Sequence, residues 1–151
     1  MTHLIKTTDA PTNQDLIQMN EIYDGLLPML EQWIFKAADH YLDNYDGGKW
    51  DILFYSGRDG QTIILWKPPA DDQSRVTLRT ESGYGSIETT ALAASWALTG
   101  LVVNHASWAL YEAGKQDAAE AMVEQWEAIR TSYPEAGLSE DEITAVWKFL
   151  D

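Results

Sequence analysis

Apolar residues recur along this chain with two different periods, and the switch between them marks out its blocks. Over residues 15–24, Leu16, Ile17, Met19, Ile22 and Tyr23 stand at helical spacing, and Gly25 ends the run. A second helix is predicted from Leu27-Pro28 to about Asn44, since proline is tolerated in a first turn. Its apolar face is Leu30, Trp33, Ile34, Ala37, Ala38, Tyr41 and Leu42. The pattern then becomes that of strands. Residues 50–55 and 62–67 are rich in aromatic and branched side chains and enclose Ser56-Gly57-Arg58-Asp59-Gly60, which predicts a hairpin. Pro68-Pro69-Ala70-Asp71-Asp72 forbids further pairing and marks a surface loop. Residues 75–80 alternate Val76, Leu78 and Thr80 with Arg75, Thr77 and Arg79, the pattern of a strand with one wet, basic face. Residues 82–87 read as a short fourth strand or a turn.

The remainder is helical. Thr89 or Thr90 caps an apolar helix that ends near Ala113-Gly114. An amphipathic helix follows from Lys115 to about Ser132 and stops at Tyr133-Pro134. Ser139-Glu140-Asp141-Glu142 is a capping box opening a last helix with Ile143, Val146, Trp147 and Leu150 on its apolar side. Helices, strands and helices again predict an α+β fold. It comprises a small antiparallel sheet of three to four strands packed with four to five helices, including a long buried central helix. Residues 1–14, rich in Thr, Asp and Asn and holding Pro11, read as a flexible N-terminal arm ahead of one domain over residues 15–151.

Charge and composition narrow the function. The chain has 151 residues, with 24 Asp and Glu against 10 Lys and Arg, a formal charge of −14. A composition that is 45% hydrophobic with seven Trp excludes the disorder that acidity alone would suggest. The acidity opposes direct binding of nucleic acid backbones and anionic membranes, and favours cationic protein partners. With no Cys, disulfides, zinc–thiolate sites and cysteine nucleophiles are excluded. No signal-peptide run opens the chain, so the expected location is cytoplasmic. Residues 89–111 are 23 consecutive uncharged residues, long enough to span a bilayer. Seven polar side chains inside and acidic flanks favour a buried core helix instead.

Catalytic and metal motifs fail on inspection. Placing Gly47 of Asp43-Asn44-Tyr45-Asp46-Gly47-Gly48 at the sixth position of a calcium loop puts Leu42 first and Leu53 twelfth, and neither can ligate. Gly83-Tyr84-Gly85 is followed by Glu88 where a dinucleotide fingerprint needs its third glycine. His3, His40 and His105 have no metal-binding spacing, and His105 reads as a core histidine sharing a stripe with Leu98, Leu101, Val102 and Trp108. The seven Trp read as a bulky core. No cofactor and no enzymatic activity are expected.

One charged feature has geometry. Asp117, Glu120, Glu124 and Glu127 recur at steps of three and four and fall on one helix face, opposite Ala118, Ala119, Met122, Trp126 and Ile129. A solvated face explains this. The sharper alternative is a partial DNA mimic that blocks a nuclease or other DNA-binding protein. Four carboxylates over about 15 Å of helix compare with roughly nine phosphates along the same length of duplex, so one helix is too thinly charged to imitate DNA alone.

Tyr45-Asp46-Gly47-Gly48-Lys49-Trp50, following a helix and leading into an aromatic strand, resembles the signature of the ArdB/KlcA antirestriction family. Gly83-Tyr84-Gly85 stands for that family's glycine–aromatic–x–glycine element. Residues 91–111, with Asn104-His105-Ala106-Ser107-Trp108, resemble its long Ala/Leu-rich helix carrying an Asn. The hairpin turn at residues 56–60 and the helix opening Glu88-Thr89-Thr90-Ala91 depart from the family pattern, so the chain looks like a distant member. The resemblance implies a non-enzymatic protein of a mobile element, plasmid or phage, that relieves host DNA restriction, chiefly by type I enzymes. It implies a protein partner within a restriction or other DNA-targeting system. The motif residues Tyr45, Asp46, Gly47, Gly48, Trp50, Gly83, Tyr84 and Gly85 become candidates for interaction.

Overall fold

The computed structural model describes residues 2–80 and 85–151. Strands β2 (Asp51–Ser56) and β3 (Thr62–Lys67) form the expected hairpin, in register from Asp51 opposite Lys67 to Ser56 opposite Thr62. Their side chains are buried on both faces, so the run is apolar without alternation. This leaves the outer edge of β3 with unpaired backbone groups inside the protein, a costly arrangement. Two side chains from neighbouring helices meet them. Thr99 Oγ1 of α3 (Ala91–Glu112) accepts from Trp66 N–H at 3.0 Å. Gln125 of α4 (Gln116–Ser132) accepts from Ile64 N–H at 3.2 Å and donates to the Thr62 carbonyl at 2.8 Å. Both residues are themselves buried.

That edge is therefore closed to further strands, and the chain does not build one sheet. The Pro68-Pro69 loop carries it away from β3, and β4 (Arg75–Arg79) pairs instead with β5 (Ser86–Thr90) in a separate antiparallel ribbon. Among the described residues there are five strands rather than three to four, divided into a three-stranded and a two-stranded sheet. The third strand of the larger sheet is β1 (His3–Thr8), antiparallel to β2 with a register shift between Leu4 and Lys6. Residues 3–8 were expected in a flexible arm. They form an edge strand wet on nearly every side chain, which is why they show no alternation of apolar and polar positions. Lys6 lies 5.3 Å from the Phe54 ring centre and pairs with Asp15. Asp15 also completes a capping box with Thr12 that opens α1 (Asn13–Ile22).

Helix α3 is central, packed against α2 (Leu27–Tyr41), α4, α5 (Glu140–Leu150) and both sheets. Gly100 allows this: a Cβ there would stand 3.3 Å from Ile129 of α4 and from Leu150 of α5. Among the described residues no helix is long and apolar enough to cross a membrane. Thr90 caps α3 by accepting from Ala93 N–H, and donates its own hydroxyl to Glu142. Glu142 in turn accepts from Ser139 N–H in the capping box of α5, so two helix starts are joined through one carboxylate.

Two outcomes follow from these contacts. Gln125→Leu preserves bulk but leaves the buried Ile64 N–H and the half-buried Thr62 carbonyl without their partner, and is expected to cost about 1–3 kcal/mol. A lower urea midpoint with an unchanged slope would register this, and an unaltered midpoint would contradict it. Burial alone would push the Glu142 carboxyl up, but hydrogen bonds from Thr90 and Ser139 outweigh it and hold the group below its usual 4.5. A depressed folded value stabilises the protein above 4.5, and this contribution disappears as pH falls through the lower folded value. Glu142→Gln should therefore lose less stability on acidification than the unaltered protein, and parallel acid limbs would contradict the assignment.

Candidate interaction surfaces

Helix α2 ends at Leu42, whose extended backbone bridges to Leu78 of β4. Asp43 N–H then donates to the Thr77 carbonyl at 3.0 Å, and the Asp43 carboxylate takes Arg79 Nε at 2.9 Å. The chain turns through Asn44, Gly47 and Gly48, all with positive φ (59°, 93° and 112°). This delivers Trp50 into the core, 6% exposed, where its indole N–H donates to the Tyr45 hydroxyl at 3.1 Å. The two rings stand edge to face at 5.7 Å, and Phe35 packs on the other side of Trp50. Gly48 is required twice over. Its φ suits only glycine, and a Cβ there would fall 2.9 Å from Pro69 Cγ.

Pro69 is held in place by Lys67, a buried ammonium that donates to the Ala70 carbonyl and pairs with Asp72 at 2.8 Å and Asp51 at 3.1 Å. Burial opposes its charge, but the two carboxylates prevail and keep the ammonium above the ordinary lysine value. The Tyr-Asp-Gly-Gly-x-Trp segment is thus a folded staple between α2, β2 and the proline loop. Of its residues, Asp46 and Gly48 are exposed, Tyr45 and Gly47 are half-buried and Trp50 is buried. Gly83 and Tyr84 lie outside the described residues. Gly85, with φ 74°, precedes β5, and its carbonyl accepts from the Thr80 hydroxyl at 2.7 Å.

The acidic stripe is placed as expected, with Asp117, Glu120, Glu124 and Glu127 all exposed on α4. Glu127 pairs with Arg130 one turn on. The stripe borders a groove that sequence reasoning missed. Asn104, Ser107, Trp108 and Tyr111 of α3 face Gln116, Ala119, Glu120, Val123 and Trp126 of α4 across a cavity of about 460 Å³. Trp108 and Tyr111 are each 65% exposed, so Trp108 is not part of the core. Trp147 is half exposed, while Trp50, Trp66 and Trp96 are buried, so the seven Trp divide between inside and outside. His105 is not a core histidine either. It is exposed and lies with His40, Lys36 and Trp33 on a second, shallower depression between α2 and α3.

A wheel confined to the last turns of α3 carries the missing signal. Asn104, His105, Trp108, Tyr111 and Glu112 occupy one arc, opposite the buried Val102, Val103, Ala106 and Leu110. Over all 22 residues this arc is drowned by the buried first half of the helix. Among the described residues, no three His, Asp or Glu side chains group as a metal-binding set.

No protein-family model matches the sequence, and no curated protein does. A solved structure does match, with a TM-score of 0.70 at 18% identity, covering 100% of this chain and 94% of the other. It comes from a description of the KlcA and ArdB proteins as having a novel fold and antirestriction activity against Type I DNA restriction systems in vivo but not in vitro. The chain has the KlcA/ArdB fold. The likeness of fold covers the whole chain, beyond the segments at residues 45–50 and 91–111 that carry the resemblance. Within that fold the Gly-Gly turn marks where α2 hands over to the central hairpin.

Gly48→Ala is expected to lower stability by about 1–3 kcal/mol through strain at positive φ, together with the contact against Pro69. Thermal or urea unfolding checks this, and a variant as stable as the parent would show that the turn has room the structure does not give it.

Proposed function

We propose that this protein relieves DNA restriction by binding a protein component of a restriction or other DNA-targeting system, type I systems first, without catalysing a reaction. The observation that supports this is the full-length correspondence with the KlcA/ArdB fold, for which antirestriction activity in vivo is described. Charge supports it independently. Proteins that hold DNA present cationic surfaces, and a partner with a formal charge of −14 is drawn to them over distances of a Debye length. Restriction takes place inside the bacterial host, which sets the expected site of action as the cytoplasm.

Direct mimicry of DNA has less support. The stripe on α4 holds four carboxylates, and Arg130 offsets one of them at Glu127. Four carboxylates along one helix remain sparse beside the two phosphate strands of a duplex.

A plasmid-borne copy should raise the plating efficiency of unmodified phage on a host with a type I restriction system, relative to an empty vector. Unchanged plating across several restricting hosts that accumulate the folded protein would reject the proposal.

A further inference from the structure

The groove between α3 and α4 is a surface with no occupant in the fold. Its floor and walls are apolar at Trp108, Tyr111, Val123 and Trp126, and Asn104 contributes the amide of its floor. Three exposed large apolar side chains, Trp108, Tyr111 and Val123, converge there. Monomeric proteins expose single apolar residues freely, whereas a clustered patch rimmed by charge marks an interaction site.

The rim gives the sign of the partner. Glu120 lines the groove itself, and Asp117, Glu124 and Glu127 continue its exposed stripe along α4, against the two cations Lys115 and Arg130 in residues 104–130. The groove follows the two helices for about two turns, roughly 11 Å, the length over which an amphipathic helix presents anchors at i, i+3 or i+4, and i+7. A second copy of the chain would bring one acidic rim against another, which opposes self-association.

We infer that this groove receives a cationic amphipathic helix of a partner protein, its apolar face on Trp108 and Tyr111 and its Lys or Arg residues against Glu120 and its neighbours. The inference stands on the groove and not on the restriction reading, because the following experiment contains no restriction system.

The full chain, labelled with ¹⁵N, is titrated with a synthetic helical peptide bearing Leu and Phe along one face and Lys along the other. Each of the seven Trp gives its own indole N–H signal, assigned by single Trp→Phe variants. The expected result is a saturable shift of the Trp108 and Trp126 signals, with those of the buried Trp50, Trp66 and Trp96 unmoved. Trp108→Ala, at an exposed position that leaves the fold intact, should weaken binding at least tenfold, and Glu120→Lys with Asp117→Lys should do the same. Equal binding of a peptide of the same composition with its apolar residues scattered around the helix would overturn the inference. So would equal binding of a Glu-for-Lys version. Indole shifts on simple dilution, with a concentration-dependent mass in sedimentation, would assign the groove to a second copy and overturn it as well.

Discussion

The outer edge of β3 is the constraint on which the architecture depends. A hairpin buried on both faces and on one edge must pair its remaining backbone groups, and the sequence provides no strand that can reach them after Pro68-Pro69. Thr99 and Gln125 take that role from two helices at once. The arrangement fixes how α3 and α4 turn about their axes, since the face carrying Thr99 and the face carrying Gln125 must both look at the same strand. A purely apolar helix pair would bury as much surface without specifying that rotation.

Once those faces are fixed, the opposite faces are fixed too. Helices α3 and α4 are seated side by side on β3, and Gly100 lets Ile129 of α4 and Leu150 of α5 close in around residue 100. The groove at Trp108 and Val123 is the geometric remainder of this packing. Its acidic border is the stripe of α4, which lies next to the groove because the core face of that helix is committed elsewhere. A helix has about 3.6 residues per turn, and three demands on one helix leave each only about a third of its circumference.

Which features were legible in the sequence follows from whether their signal is local. The capping box at Ser139 and Glu142, the proline start of α2 and the hairpin at residues 50–67 rest on neighbours in the chain, and the structure shows each of them. The α+β class, the five helices and the long central helix emerge from the order of periods. Division of the strands into two sheets does not, because it depends on Gln125 capturing an edge about 60 residues away in sequence. Strand β1 is invisible for a related reason: at an edge with both faces wet, His3, Ile5, Lys6 and Thr7 satisfy no alternation, and only pairing with β2 reveals them. Trp108 was misplaced because hydrophobicity does not distinguish a side chain that fills a core from one that lines a groove.

Of the segments that carried the resemblance, the long helix reaches the groove through Asn104, Ser107 and Trp108, whereas the Gly-Gly segment has another task. Tyr45, Gly47, Gly48 and Trp50 are bound up in one another, in Pro69 and in Phe35, and what they accomplish is to turn the chain from α2 into the sheet. Such a turn depends on backbone conformations that few sequences satisfy, with Gly47 and Gly48 both at positive φ. A binding groove has no comparable restriction. Its apolar and acidic positions can be exchanged for others of like character without touching β3 or the Gly-Gly turn, so the target can change while the fold stays. The surplus of charge is arranged consistently with that division. Residues 1–79 hold 12 acids and seven bases, whereas residues 80–151 hold 12 acids and only three bases. Of the cations in residues 1–79, Lys67 and Arg79 pair with Asp72 and Asp43 in the same part, while Arg58 and Arg75 pair with Glu135 and Glu88 of the other. The helical half keeps the larger surplus, part of it in the exposed stripe of Asp117, Glu120 and Glu124 beside the groove of Trp108 and Tyr111.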